Sequence, residues 1–131
     1  RGVNFILIDS LGNVLIQKRD ENCKSFPHQY CFPGGGMEDG ERPIEAVIRE
    51  IDEEVGLPHH ELLNLEELFD YRYELNNQTY YNRFYLCTDV NRSSIVTPLV
   101  PEGEMIWFTS EELSHLSLIL GENEIVDFLG L

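Results

Sequence analysis

The sequence predicts a mixed α/β domain in which helices flank one sheet on both sides. Short runs rich in β-branched and large apolar residues alternate with turn residues, a pattern that is typical of strands. One segment in the middle instead has apolar residues at helical spacing, and two further helical segments lie near the end. Strands and helices therefore interleave along 131 residues, which we interpret as one domain, 1–131.

The first part of the chain predicts a hairpin, a loop and a short strand. Segments 3–9 and 14–19 are apolar, and a glycine-containing turn joins them. Segment 20–29 is polar and contains a proline, which predicts a loop. Segment 30–32 predicts a short strand that ends at a glycine-rich turn beginning with Pro33.

A helix is predicted over residues 43–55. Pro43 fits the first turn, and Gly56 fits the position after the last one. Apolar residues recur three and four positions apart and form one stripe that we expect to pack on the sheet: Ile44, Val47, Ile48, Ile51 and Val55. The opposite side is expected to present three acids: Glu50, Glu53 and Glu54.

The second half of the chain predicts a long hairpin and then shorter elements. Segments 65–75 and 79–90 are the two strands of the hairpin, and 76–78 is its turn. A loop, a strand and two helices follow at 91–103, 104–108, 109–116 and 122–129. Thr109 and Ser110 are the residues expected to cap the first of these helices.

The composition excludes several classes of protein. A net charge of −15 argues against general binding to nucleic acid backbones or anionic membranes. No apolar run approaches the roughly 18–20 residues that a membrane span needs, and no signal-peptide pattern is present. The three cysteines have no C-x-x-C spacing, which favours free thiols in a reducing compartment. We therefore expect a cytoplasmic protein that binds neither a nucleic acid polymer nor a membrane.

The three acids of the predicted helix are electrostatically unfavourable by themselves. Residues three and four positions apart are neighbours on a helix, and each like-charge pair costs roughly 0.2–0.5 kcal/mol. A bound divalent cation removes this cost and reconciles the negative charge with phosphate chemistry. Mg²⁺ prefers oxygen ligands, and it can polarise a phosphoryl oxygen and acidify a water molecule. The cluster therefore predicts a metal-dependent phosphate hydrolysis site, with a merely solvated acidic face as the alternative.

The spacing of these residues adds a family resemblance. Glycine, acidic, basic and apolar residues recur at fixed intervals, at Gly35, Glu41, Arg49, Glu50, Ile51, Glu53, Glu54, Gly56 and Leu57. This spacing resembles the Nudix box at every fixed position, and segments 32–34 and 107–108 are also similar to Nudix hydrolases. The resemblance implies a Nudix-type α/β/α sandwich, with a mixed sheet flanked by helices. It also implies hydrolysis of a nucleoside diphosphate linked to another group.

The resemblance further implies roles for the residues of the box. Glu53 and Glu54 would bind Mg²⁺ or Mn²⁺, and Gly34 would add its backbone carbonyl. Glu50 would be a metal ligand or the general base, and Arg49 would orient it.

Three further acids have more open roles. Glu41 would be a supporting or an additional metal-site carboxylate. In some family members the general base comes from a loop outside the box, and the candidates for it here are Glu102 and Glu104. Each of these two is otherwise a solvated acid.

Four residues bear on the substrate. Arg19 matches a phosphate-contacting arginine of the MutT-like branch, which hydrolyses oxidised purine nucleoside triphosphates; the alternative is a charged strand end. Asn123 lies where that branch reads a base, and the alternative is a polar residue at a helix terminus. Tyr73 lies near a tyrosine of diadenosine-polyphosphate hydrolases and is otherwise a cross-strand aromatic. Gly35 leaves room for an anion to approach the backbone.

We therefore expect a Mg²⁺-dependent Nudix hydrolase whose partner is a small nucleotide. The first choice of substrate is a (d)NTP, including an oxidised purine nucleotide, cleaved to a monophosphate and pyrophosphate. The alternative substrates are a dinucleoside polyphosphate and a nucleotide sugar, and the alternative function is that of a non-catalytic nucleotide-sensing module. We expect a monomer or a homodimer.

Overall fold

The computed structural model describes residues 1–95 and 103–131, and this part of the chain has seven strands and three α-helices. The strands are β1 (Gly2–Asp9), β2 (Val14–Arg19), β3 (Tyr30–Cys31), β4 (Gly34–Gly36), β5 (Leu65–Leu75), β6 (Gln78–Val90) and β7 (Gly103–Phe108). The helices are α1 (Pro43–Val55), α2 (Ser110–Ser114) and α3 (Asn123–Leu129). Short 3₁₀ turns lie at His59–Glu61, Arg92–Ser94 and Ile119–Gly121. Among these residues, no helix has both the length and the apolar character that crossing a membrane requires.

The sheet is mixed, and β1 is its central strand. β1 pairs in parallel with β6 and antiparallel with β2 and β4. The strand order is β3-β2-β1-β6-β5, with β4 also paired to β1 and β7 also paired to β2. Parallel strands need a long connection between them, and α1 lies in the connection from β1 to β6.

Side chains of β1 alternate between two hydrophobic cores, one on each face of the sheet. Val3, Phe5 and Leu7 join the core that contains α1. Ile6 joins the other core, which contains residues of α2 and α3. Since successive side chains of a strand point to opposite faces, the helices cover both sides of the sheet. The predicted α/β/α sandwich is confirmed.

Helix α1 has the bounds that the sequence predicts. Val47, Ile51 and Val55 of the predicted apolar stripe are fully buried. The helix ends at Gly56, whose φ of 69° is left-handed and closes the helix through a hydrogen bond to Asp52 O.

The glycines at 34–36 form a strand rather than the predicted turn. They pair antiparallel with residues 2–4 of β1, while β2 pairs near the other end of β1, where Ile8 lies opposite Val14. A Cβ on Gly34 would lie 2.2 Å from the carbonyl oxygen of Val3, so the close approach of the two backbones requires glycine. The consequence is that the backbone of β4 lies directly beside α1.

Other boundaries differ from the prediction by a few residues. The turn between β5 and β6 contains only Asn76 and Asn77, with φ of 52° and 63°, so Gln78 already belongs to β6. Two asparagines in the left-handed region are typical of a two-residue hairpin turn, whose twist matches that of the strands.

Candidate active site

Strand β4 and helix α1 bring the glycines of the box against its acids. Glu50 is 7% exposed and lies over Gly35. A Cβ built on Gly35 would lie 2.3 Å from Glu50 Oε1. The sequence groups Glu50 with Glu53 and Glu54 opposite the apolar stripe, but Glu50 alone of the three is buried, because the missing side chain of Gly35 leaves a space that its carboxylate fills. Glu53 is exposed and Glu54 is half-buried.

Gly35→Ala is expected to lower kcat/KM by about 10- to 100-fold, because it displaces the Glu50 carboxylate, which the sequence predicts as a metal ligand or the general base. The added methyl group would take the space of the Glu50 carboxylate. Gly36→Ala is the matched control, since a Cβ there meets nothing within 4 Å. Steady-state kinetics with thermal melting of both variants makes the test. Equal activity of the two variants would show that the contact between Gly35 and Glu50 has no role.

Arg49 connects β4 with three acids. Its Nε and Nη2 donate to the two carboxylate oxygens of Glu41, at 2.8 and 2.9 Å, in a bidentate fork. Its Nη1 donates to Glu50 Oε1 at 2.9 Å and to Glu53 Oε2 at 3.3 Å. Its Nη2 also donates to the carbonyl oxygen of Gly36 at 3.0 Å. The arginine therefore holds three carboxylates in fixed orientation beside β4.

The ion pair between Arg49 and Glu41 stays charged through the neutral range. The hydrogen bonds from Arg49 are the main reason why the pKa of Glu41 falls to about 2, and the backbone N–H of Glu38 adds to the effect. The same carboxylate raises the pKa of the Arg49 guanidinium above its usual value. Glu41 therefore acts on the other acids through Arg49, which fits a supporting carboxylate.

The donors of this cluster fit a divalent cation. Carboxylates of α1 and backbone carbonyls of β4 form an oxygen-only set, and the space above Gly35 lets a carboxylate lie against the strand. Within residues 1–95 and 103–131, no group of three or more His, Cys, Asp or Glu side chains is placed to hold a metal ion by itself. Mg²⁺ does not need such a group, because it keeps several water molecules and takes further oxygens from substrate phosphates.

A cavity of about 320 Å³ adjoins the same strand. All three glycines of β4 line it, so β4 borders both the cavity and the acids of α1. Tyr73 and Tyr80 also line the cavity, and their rings are stacked with centroids 5.2 Å apart. The size and the aromatic wall suit a flat ring system as ligand.

Three of the four predicted substrate residues line this cavity. They are Arg19, Gly35 and Tyr73. The Nε of Arg19 donates to the carbonyl oxygen of Ser25 at 2.9 Å, which ties β2 to the loop that follows it. Burial raises the pKa of the Tyr73 hydroxyl, so it remains a hydrogen-bond donor at neutral pH.

The fourth predicted substrate residue, Asn123, instead makes hydrogen bonds to the backbone of the protein itself. Its Oδ1 accepts a hydrogen bond from the backbone N–H of Leu118 at 2.8 Å, and its Nδ2 donates to the carbonyl oxygen of Leu116 at 2.9 Å. It is absent from the cavity wall as far as the described residues show. The structure therefore favours the alternative of a polar residue at a helix terminus over a base-reading asparagine.

Sequence reasoning missed Glu122, which precedes Asn123. Glu122 is 5% exposed and lines the cavity. One signal was available, since Ile125 and Val126 lie three and four positions later and share its helix face. Both are buried in the core that contains residues of α2 and α3, and Glu122 is buried as well.

Glu104, one of the two candidates for a general base outside the box, receives no support from the fold. Glu104 is exposed on β7, opposite Lys18 of β2. In the part of the chain that the structure describes, it neither lines the cavity nor pairs with Arg49. This location agrees with the alternative of a solvated acid. Glu102 lies outside the described residues.

The family of this chain follows from a comparison with known domains. The family model of the NUDIX domain matches residues 1–128. The chain belongs to the Nudix family. Nucleoside triphosphatase NudI of Escherichia coli O139:H28 (strain E24377A / ETEC) is 30% identical over 137 residues, covering 95% of this chain and 93% of that protein. Nudix hydrolase 3 of Caenorhabditis elegans is 36% identical over 55 residues, which is 42% of this chain and 23% of that protein. The predicted class, a Nudix hydrolase, is confirmed.

Solved structures of other Nudix proteins have the same fold. The MutT protein from Methanosarcina mazei Go1 superposes with a TM-score of 0.81 at 20% identity, covering 98% of this chain and 91% of that one. The NUDIX domain of Shewanella oneidensis NrtR, crystallised with ADP ribose, superposes with a TM-score of 0.80 at 14% identity, covering 98% of this chain and 84% of that one. Nudix proteins generally use divalent metal cations.

Proposed function

We propose that this Nudix hydrolase cleaves a (d)NTP, including an oxidised purine nucleotide, to a monophosphate and pyrophosphate with Mg²⁺ or Mn²⁺. The observation that carries the proposal is the shared strand β4, which has the aromatic cavity and the acids held by Arg49 as its neighbours. A nucleotide with its base in the cavity would bring its phosphates to β4 and the acids. The nucleoside triphosphatase activity in the name of the NudI relative supports the same substrate class.

The acids and Arg49 have different roles in the proposed reaction. Glu53, Glu54 and the Gly34 carbonyl are the residues that would hold the cation. When bound, this ion supplies charge to polarise a phosphoryl oxygen and to acidify a water molecule. Glu50 is a further ligand or the general base, and the hydrogen bond from Arg49 keeps its carboxylate aimed in one direction.

The cavity also offers positive charge to a polyanionic substrate. The chain has a net charge of −15, which repels a nucleotide at long range. Arg1 and Arg19 line the cavity and supply guanidinium groups that bind phosphate well. Arg19 is therefore proposed as a phosphate-binding residue.

Turnover of a substrate panel tests the proposed function. The panel contains the four dNTPs, 8-oxo-dGTP, diadenosine tetraphosphate, ADP-ribose and a GDP-sugar, each with Mg²⁺. We expect a dNTP or 8-oxo-dGTP to yield pyrophosphate and a monophosphate. A chelator should abolish the reaction, and added Mg²⁺ or Mn²⁺ should restore it. Tight binding of one compound without hydrolysis of any would instead identify a nucleotide-sensing module.

A dinucleoside polyphosphate is the second candidate substrate. The stacked Tyr73 and Tyr80 favour it, because the pair adds aromatic surface on which a second base could pack. In that case diadenosine tetraphosphate would be hydrolysed faster than any dNTP in the panel. Replacing Tyr73 with Ala would then raise KM for diadenosine tetraphosphate more than KM for the dNTPs.

A further inference from the structure

Glu122 has no part in the proposed chemistry, although it is a buried acid in the cavity wall. It is the residue directly before α3 and is 5% exposed. Its Oε1 accepts a hydrogen bond from the backbone N–H of Phe32 at 2.9 Å. This bond joins residues 90 positions apart in the sequence, and both residues line the cavity. The carboxyl group is therefore fixed at the cavity rather than mobile on the surface.

The groups that face Glu122 come from three strands. Arg19 of β2 is the cation that acts on it. Cys31 of β3 and Tyr71 and Tyr73 of β5 are the titratable groups that its charge affects. Burial is the strongest influence and raises the pKa of Glu122 to about 8, against the opposing effects of the Phe32 N–H and Arg19. The thiol and the phenols have raised pKa values as well, so they are neutral over the range in which Glu122 titrates.

The protonation of a carboxyl group decides which hydrogen bonds it can make. An ionised carboxylate only accepts, whereas a neutral carboxyl group has one O–H donor and keeps accepting lone pairs. With Oε1 bound to the Phe32 N–H, the proton of a neutral Glu122 belongs on Oε2. The group then presents a donor on Oε2 and the second lone pair of Oε1 side by side.

Nucleobases differ in whether one of their edges matches this pair of a donor and an acceptor. Adenine and cytosine each have a ring nitrogen that accepts next to an exocyclic amine that donates. Guanine presents two neighbouring donors on its corresponding edge, which an ionised carboxylate would match. Aromatic rings of Tyr73, Tyr80 and Phe84 line the same cavity and could stack on any of these bases. Stacking therefore does not select among bases, and hydrogen bonding does.

We propose that Glu122 selects the nucleobase, acting as a neutral acid that donates to the ring nitrogen and accepts from the exocyclic amine of adenine or cytosine. This inference rests on the proposed function, because it takes the cavity to hold the base of a nucleotide. It assigns the base-reading role to Glu122 instead of Asn123, whose amide is bonded to the backbone of residues 116 and 118.

Base preference as a function of pH tests the proposal. The measurement is kcat/KM for dATP, dCTP, dGTP and dTTP with Mg²⁺, from about two units below to about one unit above the pKa of about 8. At the low end, the wild type should prefer dATP or dCTP over dGTP by about 10- to 100-fold, the discrimination of one bidentate pair. The preference should shrink as the pH rises through that pKa. Because it is a ratio, general effects of pH on hydrolysis cancel.

Glu122→Gln is the decisive variant. Glutamine keeps a donor and an acceptor at every pH, and its oxygen can still accept from the Phe32 N–H. Its base preference should stay at the low-pH value of the wild type across the whole range. Glu124→Gln is the matched control, since Glu124 lies exposed on the same helix and should leave the wild-type profile unchanged. Thermal melting checks that both variants are folded.

Two results would overturn the proposal. The first is a base preference in the wild type that does not change with pH. The second is a Glu122→Gln variant that keeps the pH dependence of the wild type. If no dNTP is hydrolysed, the proposed function fails separately, and calorimetric dissociation constants of dAMP and dGMP then make the test. Equal affinities for the two monophosphates in the wild type would reject Glu122 as the selective residue.

Discussion

Glu53→Gln is expected to lower kcat by about 10³-fold or more while the free energy of unfolding changes by less than about 0.5 kcal/mol. The amide keeps the size of the side chain but loses the charge that a divalent cation requires. The stability change is small because the Glu53 side chain is 58% exposed and its bond to Arg49 Nη1 is long, at 3.3 Å. Kinetics with saturating Mg²⁺ and chemical denaturation measure the two effects.

Asp52→Asn is the control for Glu53→Gln. Asp52 is exposed, is next to Glu53 on α1 and undergoes the same change of charge. We expect wild-type activity from this variant. Full activity in Glu53→Gln, or an equal loss in both variants, would contradict the assignment of Glu53 as a metal ligand.

Arg49→Ala is expected to cause the largest loss of stability, about 1–3 kcal/mol. Arg49 makes five hydrogen bonds to three carboxylates and to the Gly36 carbonyl oxygen. Its removal leaves Glu50, which is 7% exposed, next to other acids without that cation. Activity should fall as well, because Glu50 loses the group that orients it. Urea denaturation and kinetics measure both losses.

Mg²⁺ and pH provide two further readouts of Arg49→Ala. Mg²⁺ should raise the melting temperature of the variant more than that of the wild type, since the cation offsets the repulsion that Arg49 otherwise offsets. The pKa of Glu41 is lowered to about 2 in the folded protein, so its ion pair stabilises the fold above the usual pKa of 4.5. That contribution is lost as the pH falls from 4.5 towards 2. In the variant, this loss in acid should be smaller.

Arg49→Lys separates charge from geometry. Lysine keeps the positive charge but cannot form the bidentate fork to Glu41. Most of the stability should therefore return while part of the activity stays lost. If Arg49→Lys and Arg49→Ala are equally destabilised, positive charge alone restores no stability, and the planar fork of the guanidinium accounts for the loss.

Local sequence patterns were sufficient to predict most of the helices and strands and the residues that form the acidic cluster. The stripe Val47, Ile51 and Val55 predicts both the length of α1 and the face that it buries, because helical periodicity is a property of neighbours in the sequence. The glycine strand was predicted as a turn for the opposite reason. Pairing of β4 with β1 joins segments about 30 residues apart, and no local pattern encodes that pairing.

The same division applies to the candidate site. Spacing within the box identified Arg49 and its acidic partners. These residues lie on one helix and on the short loop before it, and the arrangement of such close neighbours in the sequence is predictable. The burial of Glu50 was not predictable, because it depends on the absence of a side chain at Gly35 in another element. The bond between Glu122 and Phe32 spans 90 residues, and only the folded chain brings the two together.

By itself, the sequence determined the family and the reaction class, and it predicted the acids that we propose to carry the reaction, because these depend on residue types at short fixed spacings. The tertiary structure decided which side chains share the cavity and which acid is buried there. Arg19 and Tyr73 reach the same cavity because β1 has β2 on one side and β6, with β5 beyond it, on the other. The hydrogen bond to Phe32 brings Glu122 to the same place. Contacts between distant segments depend on the whole fold and cannot be predicted from local spacing. The cavity wall therefore contains Glu122, although the sequence predicted its neighbour Asn123 there.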